Sequence, residues 1–194
     1  LLLTYSGLAT ESMTRGQGWR FLDMGRRIER ANQTLRLVRQ MFGTVRGELI
    51  PALEAVLEIA DSTMTYRYRY QTSLQLAPVL DLILVDESNP RAVGFQLAAL
   101  AEHVRHLPGD PAEAEQRAEP RIVLAAQAEL RLCDVDAYCV PDEREERNEL
   151  CSFVEGLAGH LWRLSETLTH RYLAHTGPAR QLGPSASRQD DTIP

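Results

Sequence analysis

Residues 23 to 31, Asp23-Met24-Gly25-Arg26-Arg27-Ile28-Glu29-Arg30-Ala31, carry two carboxylates and three guanidinium groups. As a helix this run spans about two and a half turns. A guanidinium offers its N–H donors as a planar fork that fits a carboxylate or phosphate bidentately. Such a run can bind an anionic ligand, meet a partner domain, or close on neighbouring helices as an ion-pair network. On a helical wheel Gly25, Glu29, Asn32 and Arg36 flank the apolar stripe on one side, and Asp23, Arg27, Arg30 and Thr34 on the other. A second concentration of the same chemistry is Tyr66-Arg67-Tyr68-Arg69-Tyr70, preceded by Asp61. There the choice is between a ring of stacking and guanidinium groups for a nucleotide or peptide, and arginine stems packed on tyrosines with their heads on acids. The candidate residues are Asp23, Arg26, Arg27, Glu29, Arg30, Asp61, Tyr66, Arg67, Arg69, Tyr70 and Arg91.

All 21 basic residues are arginine. This excludes a lysine Schiff base or a lysine phosphate clamp, while arginine-rich codon usage accounts for the bias as well as any function does. The net charge of −6 speaks against a general nucleic-acid surface, which needs a basic stripe. Cys133, Cys139 and Cys151 are odd in number and suit neither a CxxC pair nor a zinc knuckle; they read as reduced thiols of a cytoplasmic protein. No histidine follows a glutamate by three residues, so a ferritin-like di-iron site is not expected. The glycines near Gly16 lack a following GK[ST], and no GxSxG elbow occurs. Neither a metal nor a catalytic residue is assigned, and no membrane span is expected.

The elements that must position these residues are helical throughout. Phe21, Met24, Ile28, Ala31, Leu35, Val38 and Phe42 recur at steps of three and four, one face of an amphipathic helix. Thr14 and Gln17 have capping-box spacing, which places its start near Arg15. A second helix is expected from Leu49 to Tyr70, with Leu49, Ala52, Val56, Ile59, Thr63, Tyr66 and Tyr70 on one line and Ile50, Leu53, Leu57, Ala60, Met64 and Arg67 on a parallel one, so that Arg67 falls among apolar residues. Pro78 suits the first turn of a short third helix, and Asn89-Pro90 the start of a fourth carrying Val93, Leu97, Leu100, Val104 and Leu107. A kink or fresh helix follows at Pro120, ending near Asp134. The last helix is expected to open at Asp142 and to bury Leu150, Val154, Leu157, Leu161, Leu164 and Leu168. The fold class is therefore all-α, a mostly antiparallel bundle of five to seven helices, with residues 176–194 a disordered tail.

Three segments in this order, GWRFLDMGRRIERANQTLRL, ADSTMTYRYRY and LDLILVDESNPRAVGFQ, resemble the alpha-E family, an all-helical domain named for a Glu-Arg motif. The likeness is to the form found as the C-terminal part of long proteins that begin with a circularly permuted ATP-grasp region. It implies a domain over 1–175 that lacks its N-terminal helices. It implies a non-catalytic scaffold or substrate-docking role beside an ATP-grasp amide or peptide ligase, fused upstream or separate, often with transglutaminase-like partners. ATP and magnesium would then belong to the ligase, with no cofactor in this chain. The alternatives are a binding or catalytic domain whose Arg/Glu cluster takes carboxylate or acyl-phosphate substrates, and a helical module that forms homo-oligomers. One specific expectation follows from the stripes: Glu29 and Arg67 share a partly buried network between the first two long helices.

Overall fold

The computed structural model describes residue 7 and residues 11–45, 47–71, 73–109 and 116–174. It contains α1 (Gln17–Phe42), α2 (Leu49–Ile59), α3 (Thr63–Tyr70), α4 (Leu76–Leu80), α5 (Val93–Arg105), α6 (Ala118–Arg131) and α7 (Asn148–Leu168). Among the described residues no strand occurs, only an isolated bridge between Thr44 and Glu146. A π-helical turn, Asp81–Val85, continues α4, and another, Thr169–Leu173, continues α7. The expected tail at 176–194 lies outside the described residues.

The four long helices α1, α5, α6 and α7 form a ring in which each packs on two neighbours. Cross-helix contacts fix their directions. In α1 and α5, Asp23 meets His103 while Arg27 meets Gln96. In α6 and α7, Glu129 meets His160, and Glu119, near the other end of α6, approaches Arg171 just beyond α7. In α1 and α7, Arg39 pairs with Glu155, and Phe21 packs on Tyr172 just beyond α7. Around α5 and α6, Leu107 meets Arg117, while Glu87 upstream of α5 meets Arg131. In each pair rising numbers on one helix match falling numbers on the other, so all four neighbours are antiparallel. The stripes of α1, α5 and α7 are buried as their periodicity requires, with Ala31, Val38, Phe42, Leu100 and Leu150 wholly inaccessible. Only Phe21 of those stripes is merely partly covered.

The boundaries depart from the sequence reading in four places. No capping box forms at Thr14: Gly16 is the N-cap of α1, and Gln17 instead donates to the His106 carbonyl at 3.0 Å. The second helix is two. It breaks at Ala60-Asp61-Ser62, where Asp61 has φ 50° and the Ser62 amide reaches back to the Leu57 carbonyl. The break resets the helical phase, so Met64 is 75% exposed and the buried position passes to Tyr66. Asn89 does not cap α5; its Oδ1 accepts the Arg91 amide in a preceding turn, and the helix begins at Val93. Asp142 likewise caps a loop, accepting the Arg144 and Glu146 amides, six residues before α7 starts.

Two further features lock the ring. Gly94 sits where a Cβ would lie 2.3 Å from the Val85 carbonyl oxygen, so only glycine lets α5 approach the π-helical turn this closely. Arg147, buried before α7, donates to the Phe42 and Cys139 carbonyls at 2.9 and 3.2 Å. It thereby satisfies an acceptor left open at the end of α1 and ties it to the segment before α7.

Candidate functional site

The motif helix divides its charges between two environments. Asp23 faces α5: its Oδ2 accepts Arg27 Nε at 2.6 Å and His103 Nε2 at 2.7 Å. Because a carboxylate can only accept, His103 carries its proton on Nε2. Arg27 also reaches Gln96 Oε1 at 3.3 Å, and buried Gln96 donates to the Pro90 carbonyl at 2.6 Å. Trp19 packs edge-on against the His103 ring, and the Arg27 guanidinium lies over Phe95. Burial raises the proton affinity of Asp23, but the hydrogen bonds from His103 and Arg27 outweigh it, and its carboxyl titrates below the ordinary aspartate range. This chain of contacts couples α1 to α5.

Arg30 lies elsewhere. Its guanidinium shares a groove of about 380 Å³ with Arg36 of α1 and Arg91 of the loop before α5. Arg91 pairs with Asp61 at 3.1 Å on the exposed rim. Arg26 is half-buried in a shallow depression beside Phe21, Leu22 and Glu29.

Glu29 and Arg67 do not form the expected network. Both are exposed; Glu29 accepts from Gln33 within its own helix, while Arg67 lines a separate groove with Glu54, Glu58 and Tyr66. The reason is the break at Asp61, which turns Arg67 off the apolar line of α2.

The tyrosine-arginine run is divided between the interior and the surface. Tyr66 is buried, its hydroxyl donating to the Ser73 carbonyl at 3.1 Å and accepting the Gln75 amide at 3.3 Å. Its ring lies 5.0 Å from that of Tyr70, whose hydroxyl donates to Asp81 at 2.5 Å. Burial, then the Asp81 contact, pushes the Tyr70 phenol well above its usual range. Arg69 donates to Asp86 at 2.5 Å and to Ser88 Oγ at 3.0 Å. The Asp86 hydrogen bond raises Arg69. Asp86 itself is raised by burial but more strongly lowered by the Ser88 amide, the Ser88 hydroxyl and Arg69. Of the two readings of this run, the packed and paired one describes Tyr66, Arg69 and Tyr70, whereas Arg67 and Tyr68 face solvent.

Several residues that complete these clusters escaped sequence reasoning. Gln96 and Asp86 are polar residues on or beside apolar segments, a signal that could have marked them; His103 shares a helix face with His106 in the sequence, but its partner Asp23 was not foreseen. Arg36 lies on the flank of α1 opposite Arg30, so only the docking of α2 and the Arg91 turn brings both to one groove. Glu119 is wholly buried, with neither carboxylate oxygen hydrogen-bonded and Arg171 Nη1 at 3.7 Å; nothing in its spacing announced this. The three cysteines are free, and burial raises the thiols of Cys133 and Cys139, which makes them poor nucleophiles. Among the described residues no three His, Cys, Asp or Glu side chains gather as a metal-binding group. No described helix is long and apolar enough to cross a membrane.

Comparison with known proteins places this geometry. The chain is 33% identical over 196 residues to uncharacterized proteins of Mycobacterium bovis and of two Mycobacterium tuberculosis strains, an alignment covering 96% of this chain and 21% of each relative. The chain thus spans about a fifth of the length of the curated relatives it matches. No solved structure matches it. The model of a family described as "a predicted alpha-helical domain with a conserved ER motif" matches residues 1–173. Glu-Arg pairs occur here at Glu29-Arg30, Glu143-Arg144 and Glu146-Arg147; Arg30 opens onto the arginine groove, and Arg147 is the buried clamp on α1. The chain belongs to the Alpha-E family.

Proposed function

We propose that this chain is a non-catalytic helical accessory module that acts in the cytoplasm with an ATP-grasp amide or peptide ligase, as scaffold or docking surface. The observation that carries the reading is the contact chain His103–Asp23–Arg27–Gln96. It commits the most buried charges of the motif helix to joining α1 and α5, not to a reacting centre. The alignment with about a fifth of much longer relatives supports a part working within a larger assembly. ATP and magnesium belong to the ligase in this scheme, and a transglutaminase-like protein is a second partner.

The test is ADP release with magnesium, ATP and an amine acceptor, using the chain alone, an associated ATP-grasp protein alone, and the two together. The expected result is no turnover by the chain alone and a lower KM for the acceptor when both are present. Turnover by the chain alone that is lost in Arg30→Met would overturn the accessory reading in favour of a catalytic one. A ligase indifferent to the chain would overturn it too.

A further inference from the structure

The groove between α1, the end of α2 and the turn before α5 holds more positive charge than the protein around it explains. Arg30, Arg36 and Arg91 line it together with Gln33, Gln40 and Leu37, and no carboxylate does. In a chain of net charge −6, three arginines lining one groove with a single acid at its rim run against the average surface. Among the described residues neither the Arg30 nor the Arg36 guanidinium has a hydrogen-bond or ion-pair partner. Arg91 has one, Asp61, but that carboxylate side chain is 81% exposed. An ion pair so open to water contributes little and is readily displaced.

Polar contacts hold the backbone that carries Arg30 and Arg91. The Thr34 hydroxyl lies 3.1 Å from the Arg30 carbonyl and 3.3 Å from that of Arg91, pinning the turn to α1. Asn89, 5% exposed, accepts the Arg91 amide and donates to Ser62 Oγ and the Leu82 carbonyl. One residue thus ties together the break after α2, the π-helical turn and the loop carrying Arg91. Partial burial, and then the charges of Arg91 and Arg27, lower the proton affinity of Arg30, and the opposing charge of Asp23 does not offset them.

We propose that the Arg30–Arg36–Arg91 groove is a binding site for a small oxyanion of at least two negative charges, a phosphate-class group or a dicarboxylate. Three arginines lining one groove suit a multiply charged anion better than a single carboxylate, because each guanidinium fork can take two oxygens. The volume admits a small molecule, and Leu37, Ala60 and Ile59, the last 66% exposed, offer an apolar wall for its body. Asp61 occupies one fork when the groove is empty of ligand, so binding displaces it from Arg91. The site regroups the arginines suggested by the sequence: Arg67 and Arg69 are outside it, and Arg36 is inside. It requires no ligase, so its test is separate from that of the accessory role.

The experiment titrates the full chain with pyrophosphate and with glutarate at constant ionic strength, with neutral glutaramide as control. Binding is read by calorimetry and by the arginine Nε–H resonances of isotopically labelled protein. The expected result is saturable binding of one or both anions and none of glutaramide. The stronger of the two identifies phosphate or carboxylate as the natural group. Arg30→Met and Arg36→Met should each weaken binding at least tenfold, and Arg67→Met, exposed in a different groove, should leave it unchanged. Asp61→Asn should tighten binding several-fold by freeing Arg91, which a purely structural role for Asp61 would not do. All four positions are exposed, and far-UV circular dichroism verifies that each variant remains folded. Absence of saturable binding of both anions at millimolar concentration would overturn the proposal. Equal weakening by Arg67→Met, or unchanged affinity in Asp61→Asn, would do so as well.

Discussion

Replacing Asp23 by asparagine keeps the shape of the side chain and removes its charge from the centre of the α1–α5 contact. The bond from His103 to Asp23 Oδ2 at 2.7 Å loses its charged acceptor, and that from Arg27 at 2.6 Å keeps only the charge of its donor. Hydrogen bonds to charged groups contribute about 1.5–3 kcal/mol and neutral ones about 0.5–1.5, so the His103 bond loses about 1 kcal/mol and the broken Arg27 ion pair about as much again. Arg27 is left without its counter-charge, but with side-chain exposures of 16% and 22% for Asp23 and Arg27, water compensates in part. The sum is about 2 kcal/mol, or a fall in Tm of about 4–8 °C for a chain of this size. Urea unfolding followed at 222 nm measures it, with an unchanged slope. In a cycle with His103→Phe the coupling should be about 1 kcal/mol. The pH dependence carries the same information. Because the folded-state pKa of Asp23 is depressed, its stabilisation is present above the unfolded value of about 3.9 and disappears as pH falls through the lower folded value. Wild type should therefore lose more stability than Asp23→Asn on acidification below about pH 4. A loss under about 0.5 kcal/mol at neutral pH, or strictly additive effects in the cycle, would refute the argument.

Four other substitutions examine separate parts of the structure. Glu29→Gln and Arg67→Met should each change unfolding free energy by no more than about 0.5 kcal/mol and should add in the double variant, because both side chains are exposed and share no partner; coupling in chemical denaturation would restore the network expected from sequence. Arg147→Met should cost about 2–4 kcal/mol in the same assay, since it strands the Phe42 and Cys139 carbonyls in a buried place. Gly94→Ala should cost about 3 kcal/mol, visible as a lowered thermal midpoint, because its Cβ meets the rigid Val85 carbonyl rather than a movable side chain.

The sequence alone determined the fold class and most of the core. A periodicity of three and four is a local consequence of helix geometry, so Met24 to Phe42, Val93 to Leu107 and Leu150 to Leu168 could be assigned to buried faces before any contact was known. The candidate charges were also visible there, since arginine and aspartate beside an apolar stripe require partners. Their partners were not. Whether Asp23 meets His103, whether Arg69 meets Asp86, and whether Arg30 gathers with Arg36 and Arg91 depend on how helices far apart in the chain dock. The left-handed Asp61 decided the rest: one residue at φ 50° split the expected second helix and rotated Arg67 away from Glu29. Spacing along a chain carries helical phase only while the helix continues. Beyond a break, tertiary packing alone sets which side chains face each other.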